Sequence, residues 1–316
     1  MTDKGKLKWR LWFDRMISDE SLKVMMEAHN LVTDAAFYLI RTHGNDASTS
    51  TMNHDGNLLL QMTALKGMSI KSMALPKNLK IQADGTTVGG VNDPFGMICL
   101  VRSQMEAFCT FNNMFINSNS DEELQVKYDL WVMSGLKYRQ RFGVELEEHV
   151  AKKEKEAKQI DEIMQSIESS DLHKGLSEQG LKNFKQMVKG KDWKFRVDGN
   201  SIKTLHWHEA LTDSGANDML EQKYNFLSLG SHPSNVSVFQ FGQMYVKGEH
   251  EFTARMALMF SNVFLSFFIR DYIKYHGLIE KCFDTLPLEN QMMVNWYNRA
   301  FRSKEYQVND ALSLLD

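Results

Sequence analysis

Apolar residues recur at three- and four-residue spacing along most of this chain, which is the pattern of amphipathic α-helices. The pattern predicts helices over residues 18–41, 58–73, 95–116, 120–142, 216–228, 250–278 and 290–301. The longest apolar run, Met256–Ile269, is too short to cross a bilayer and is typical of a buried core helix. The predicted fold class is therefore all-α, a multi-helix bundle.

Two turn-rich stretches interrupt the helical pattern. Residues 44–57 are small and polar and predict a long irregular loop, and residues 75–94 predict a second one with a little extended structure. Asp198-Gly199 lies between two short alternating runs and indicates one small β-hairpin near 193–204. Residues 236–246 are apolar and fit either a helix or a strand.

The same two loops suggest a division of the chain. Residues 1–90 would form an N-terminal helical arm with its loops, and residues 91–316 the main helical domain. One continuous domain is the alternative, because 316 residues fit either arrangement. Within the arm, residues 1–17 carry Trp9 and Trp12 among basic residues and predict a docking segment.

The amino-acid composition and the net charge limit which classes of protein this chain could belong to. Only 4 prolines stand against 20 methionines and 19 phenylalanines, which favours long helices. A net charge of −3 gives the protein no overall positive potential that would attract nucleic acid or an anionic membrane. Cys99, Cys109 and Cys282 lack metal-ligand spacing and predict buried thiols in a reducing compartment. The N-terminus has no apolar signal region, so we expect a soluble cytoplasmic protein. The sequence has no glycine-rich phosphate loop and no complete metal-ligand set, so we expect no cofactor or metal.

The main candidate site combines two distant segments. Arg102 and Glu106 are four residues apart and share one face of a predicted helix. Gly230 is expected to close the preceding helix in a left-handed conformation, and Pro233 restrains His232 just after it. A functional pocket is one interpretation. A surface ion pair and a histidine that caps a helix are the alternative.

These two segments carry a family resemblance. Arg102-Ser-Gln-Met-Glu106, followed by Tyr224-x-x-Leu-Ser228-x-x-x-His232-Pro-Ser, resembles the bacterial domain of unknown function fifty-six seventy-seven family over roughly residues 90–280. The resemblance implies an all-α domain in which Arg102, Glu106, Tyr224, Ser228 and His232 converge as ligand-binding candidates. It implies no established activity, so a binding or regulatory module is the expected function.

A second resemblance points to an enzyme. Arg270 and His276 in R-D-Y-I-K-Y-H are similar in spacing to the HEPN ribonucleases, which cleave RNA without metal. The resemblance implies catalytic roles for both residues. In a continuous helix they lie roughly 120° apart, so a second helix or a second subunit would have to complete the site.

Three further features carry weaker hypotheses. His206 and His208 would share one face of a strand and could chelate a metal, but no third ligand completes the set. His29 lies on an apolar helix face and is expected to be a core histidine. Residues 144–170 resemble a coiled-coil seam, which would serve either a homodimer or packing against a neighbouring helix.

Overall fold

The computed structural model describes residues 3–44, 50–143, 147–230, 234–302 and 307–312. Within these ranges the chain is mainly helical, and its β-structure consists of two antiparallel hairpins. The predicted all-α bundle with a small hairpin near residues 193–204 is confirmed. The helices are, in chain order, α1 (Asp3–Ser18), α2 (Leu22–His43), α3 (Thr51–Ala74), α4 (Pro94–Phe111), α5 (Asp121–Arg139), α6 (Glu147–Ser169), α7 (Asp171–Lys174), α8 (Glu178–Gly190), α9 (Trp207–Asp213), α10 (Asp218–Leu229), α11 (Asn235–Val246), α12 (His250–His276), α13 (Glu280–Asp284), α14 (Leu288–Ala300) and α15 (Val308–Leu312).

The strands form two local hairpins. Strands β1 (Lys77–Lys80) and β2 (Thr87–Val91) pair with each other, as do β3 (Phe195–Asp198) and β4 (Ser201–Thr204). In the second hairpin Asp198 pairs with Ser201, and Gly199 in the turn has a φ of +59°, which suits glycine.

Serine side chains begin many of the helices. Each accepts a hydrogen bond from the backbone N–H three residues later, which satisfies a donor that the first helical turn leaves open. The serines that act in this way are Ser21, Ser50, Ser120, Ser170, Ser177 and Ser234. Ser50 starts α3 at Thr51, so the predicted loop over residues 44–57 is wrong from residue 51 onward.

The chain folds into two compact units. The first comprises Met1–Phe111 and Gly215–Asp316, and the second comprises Asn112–Ser214. This division does not follow the boundary suggested at residue 90, because α2 and α3 lie with α4 and α12 in the first unit. The apolar segment 236–246, which fitted either a helix or a strand, is the helix α11.

Helix α12 is the centre of the first unit, where it packs against α2, α3, α4 and α14. Phe264, Phe267 and Phe268 of α12 are fully buried and surround Phe108 of α4 at ring-centroid distances of 5.4–6.5 Å. Burial of such a side chain stabilises a fold by about 1.5–3 kcal/mol. By length and composition α12 could also span a membrane, but 78% of its most apolar window is buried inside the protein, as in a core helix.

His29 is a hydrogen-bonded core residue, as its position on an apolar face predicted. Its Nε2 lies 2.9 Å from the Gly67 carbonyl oxygen, and its Nδ1 lies 2.6 Å from Oδ1 of Asn262. Burial lowers the pKa of His29, so the ring is neutral. The carbonyl of Gly67 can only accept, so the neutral ring carries its proton on Nε2, and Nδ1 accepts from the Asn262 side-chain amide, whose nitrogen must then occupy the Oδ1 position.

The second unit contains α5–α9, the β3–β4 hairpin and a π-helical turn, Asn112–Ile116. Helix α6 packs against α5, and the end of the predicted seam is buried at Ile167 while Val150 is exposed. Packing against a neighbouring helix, the second of the two arrangements expected for residues 144–170, therefore occurs. A homodimer through α6 stays a prediction.

Candidate functional site

The site begins on α4 with the predicted ion pair. Arg102 Nε lies 3.0 Å from Oε1 of Glu106 one helical turn later. The Arg102 side chain is 18% exposed and that of Glu106 32%. The guanidinium therefore lies mostly out of water, where an arginine needs further hydrogen-bond partners.

Helix α10 supplies those partners. Arg102 Nη1 donates to the Ser228 hydroxyl, and Nη2 donates to the Tyr224 hydroxyl at 3.2 Å. The guanidinium carbon also lies 5.1 Å from the centroid of the Tyr224 ring, within the range of a cation–π contact. Tyr224 and Ser228 are four residues apart, so one face of α10 presents both.

Gly230 allows α10 to approach α4 closely. A Cβ at this position would lie 3.1 Å from the Phe95 carbonyl oxygen and 3.3 Å from a methyl carbon of Ile98. Its φ of −69° is right-handed, so the predicted left-handed conformation is wrong. Close approach of two backbones, and not turn geometry, explains the glycine.

Helix α3 adds a second cation. Lys66 Nζ donates to the Ser103 hydroxyl at 2.7 Å, next to Arg102 in the sequence. Burial lowers the pKa of Lys66, and the Glu106 carboxylate opposes part of that shift. We refer to Lys66, Arg102, Ser103, Glu106, Tyr224 and Ser228 as the Arg102 cluster.

The structure brings together four of the five ligand-binding candidates, namely Arg102, Glu106, Tyr224 and Ser228. The fifth, His232, lies outside the described residues. Sequence reasoning missed Lys66. A lone lysine between apolar helix positions has no local signal, and only the packing of α3 against α4 brings it to the cluster.

The Arg102 cluster retains hydrogen-bonding capacity. A guanidinium has five N–H groups. Within the described chain, Glu106, Ser228 and Tyr224 engage three of them. With Lys66 the cluster carries two cations against one carboxylate. Chemically, this arrangement can receive an anionic group and orient it.

The two residues of the ribonuclease hypothesis do not form one site within the described chain. Arg270 Nη1 lies 3.0 Å from Oε1 of Glu280, and its guanidinium carbon lies 5.1 Å from the centroid of Phe283. His276 lies instead against the rings of Tyr272 and Tyr275. The hypothesis stays a prediction that requires a second helix or a second subunit to complete the site.

His276 has an unexpected neighbour, His43 at the end of α2. The two ring centroids are 4.4 Å apart. Burial lowers the pKa of His276 to about 4, and the nearby His43 contributes to the shift. No sequence spacing indicated this pair, because α2 and α12 meet only through the tertiary fold.

His43 and Asn57 share one hydrogen-bond partner, the hydroxyl of Tyr272. Burial raises the pKa of Tyr272 to about 12, so its hydroxyl keeps its proton at neutral pH. Asn57 Nδ2 donates to this hydroxyl at 2.9 Å, and His43 Nδ1 lies 2.7 Å from it. The Tyr272 hydroxyl of α12 therefore connects His43, at the end of α2, to Asn57 of α3.

The strand placement assumed for His206 and His208 is wrong. Strand β4 ends at Thr204, and His206 is the N-cap of α9, where its backbone N–H donates to Glu209 at 2.9 Å. Over the ranges that the structure describes, no three His, Cys, Asp or Glu side chains are placed to hold a metal ion.

None of the three cysteines forms a disulfide within the described residues. Cys109 is buried as expected, whereas Cys99 and Cys282 are only partly buried, so the prediction of buried thiols is correct for Cys109 alone. None of the three is a member of the Arg102 cluster.

Comparison with protein-family models finds no match to this chain, and comparisons with curated proteins and with solved structures also find none. The resemblance to the bacterial family of unknown function therefore stays a prediction.

Proposed function

We propose that this chain is a binding module that recognises the anionic group of a small ligand at the Arg102 cluster. The observation that carries the proposal is the set of hydrogen bonds that the Arg102 guanidinium makes and leaves unmade. Three contacts hold it between α4 and α10, and two of its N–H groups have no partner in the described parts of the chain. Fixed donors of this kind bind carboxylate or phosphate oxygens in two-point geometry.

Electrostatics supports an anion. Lys66 and Arg102 together outweigh Glu106, and the partial burial of all three reduces screening by water and salt. Tyr224 fixes the plane of the guanidinium through its ring and its hydroxyl. An anion would therefore meet donors that are already oriented, so that little ordering entropy opposes binding.

We place this binding activity in the cytoplasm. The three cysteines form no disulfide within the described residues, as expected of a protein in a reducing compartment. The most apolar helix, α12, is mostly buried in the first unit, as in a soluble protein.

Thermal unfolding with inorganic phosphate as the probe tests the proposal. A ligand that binds only the folded state at ten times its Kd stabilises it by about 1.4 kcal/mol. We expect phosphate, but not chloride at equal ionic strength, to raise the Tm of the wild type. Arg102→Met should abolish this rise.

Arg270→Met is the matched control. It also removes a partly buried arginine with a carboxylate partner and an aromatic neighbour, but at a distance from the cluster in the sequence. The phosphate-dependent rise should persist in this variant. If Arg102→Met lowers stability but leaves the phosphate response equal to that of the wild type, the cluster only clamps α10 to α4 and the proposal fails.

A further inference from the structure

Helix α1 buries two apolar side chains in the first unit and also carries two tryptophans that are only partly buried. Phe13 and Met16 are almost completely buried. The Phe13 ring also meets Trp296 of α14 edge to face at 5.7 Å. Trp9 and Trp12 are only partly buried and lie three residues apart, on one face of the helix. Part of each tryptophan ring is therefore accessible and could contact a ligand.

Trp9 and Trp12 line a cavity of about 470 Å³. Helix α2 contributes Glu27 and Asn30 to its wall, and α14 contributes Glu289. Small-molecule sites in proteins usually have volumes of roughly 300–1,000 Å³. The cavity thus has the size of a ligand site, with three helices of the first unit forming its walls.

The two indole rings form perpendicular walls. Their centroids are 5.5 Å apart and their planes meet at 84°. The face of an indole ring carries negative electrostatic potential and attracts cations more strongly than other aromatic side chains do. A cation that enters the cavity is attracted to a ring face, and the perpendicular arrangement prevents the two rings from stacking on each other and covering both faces.

The carboxylates of the cavity strengthen this preference. Arg15 binds Glu27 with two hydrogen bonds of 2.7 and 2.8 Å, so the charge of Glu27 is already balanced. Glu289 is partly buried and has neither a hydrogen bond nor an ion pair with any described residue. Lys8, which also lines the cavity, is exposed and can keep its ammonium group in water.

We propose that this cavity binds a small organic cation of the alkylammonium or quaternary ammonium class. Trp9 and Trp12 contact the cation through their rings, and the Glu289 carboxylate balances its charge. The site lies on α1, α2 and α14, whereas the Arg102 cluster lies on α3, α4 and α10. The two proposals therefore stand or fall separately.

Isothermal titration of the full-length protein with choline tests this proposal. The comparison ligand is the uncharged isostere of choline, in which a tert-butyl group replaces the trimethylammonium group. The two ligands have the same shape and differ in charge. We expect choline to bind about tenfold more tightly than the isostere, the scale of a partly desolvated cation–π contact. Equal affinity, or no binding of choline, would overturn the proposal.

Two variants locate the bound cation. Trp12→Leu keeps an apolar side chain but removes the ring, and Glu289→Gln keeps the size but removes the charge. Each should weaken choline binding about three- to tenfold. Glu20→Gln, an exposed carboxylate between α1 and α2, is the matched control and should bind choline as the wild type does.

Circular dichroism separates loss of binding from loss of folding. If Trp12→Leu unfolds α1, Glu289→Gln still decides the question, because its side chain has the same shape as glutamate. Wild-type affinity in a folded Glu289→Gln variant would show that choline binds elsewhere, which would overturn the assignment.

Discussion

At the scale of single residues, burial decides the charge states of the polar groups in this protein. His29 and His276 both have lowered pKa values because folding removes their rings from water. His29 has two hydrogen-bond partners, whereas Nε2 of His276 is buried without one among the described residues. Protonation of His276 would also place a cation beside His43.

This difference predicts an acid-sensitive contribution from His276. Its pKa is about 4 in the folded protein and 6.5 for an ordinary exposed imidazole. Between these values the unfolded chain binds more protons than the folded chain, so the free energy of unfolding decreases as the pH falls from about 6.5 to about 4.

The substitution His276→Gln should remove part of that decrease. We expect about 1–2 kcal/mol less acid destabilisation, which is smaller than the full shift implies because the ring is partly exposed. Urea unfolding at pH 7 and pH 4.5 measures the effect, with exposed His54→Gln as the control. An identical loss of stability in wild type and His276→Gln would contradict the account.

The sequence predicted individual site residues where a local spacing revealed them. Arg102 and Glu106 are four residues apart, and helical geometry places them on one face. Tyr224 and Ser228 became candidates through the family resemblance, and both lie on α10. Lys66 and His43 carried no such signal. Their neighbours lie on helices far away in the sequence, so only the packing of those helices identifies them.

At the scale of elements, a capping side chain determines where a helix begins, and the size of the facing side chains determines how closely two helices pack. The segment after Ser50 has the composition of a polar loop, but it forms the first turn of α3 because the Ser50 hydroxyl caps the helix. The small, polar residues of that segment predicted an irregular loop. Gly230, in contrast, acts on the packing of two helices, because the lack of a side chain lets α10 lie close to α4.

Gly230→Ala should therefore weaken the contact between α10 and α4. The new methyl group would meet a backbone oxygen at 3.1 Å, and this atom cannot move as a flexible side chain can. We expect a destabilisation of about 1–2 kcal/mol, in the range of overpacked sites. Chemical denaturation would measure it.

Gly242→Ala is the matched control for that substitution. Gly242 lies inside α11, and a Cβ there would meet nothing within 4 Å. Alanine at this position should stabilise the protein by about 0.5–1 kcal/mol through helix propensity. Equal effects of the two substitutions would show that the close approach at Gly230 is not a constraint.

At the scale of the whole molecule, the sequence indicated the fold class but not the division into units. The second unit, Asn112–Ser214, interrupts the first in sequence, so a single boundary along the chain could not describe the division. The Arg102 cluster lies entirely in the first unit, because α3, α4 and α10 all belong to it. A ligand bound at this cluster would therefore meet a site built on packed helices.

A crystal structure of the protein grown with selenate would test the central claim most directly. Our account predicts an anomalous difference peak within hydrogen-bond distance of the Arg102 guanidinium, roughly 3 Å, and its loss in Arg102→Met. The contradicting result is a guanidinium that keeps Glu106, Ser228 and Tyr224 as its partners while no selenate lies near it.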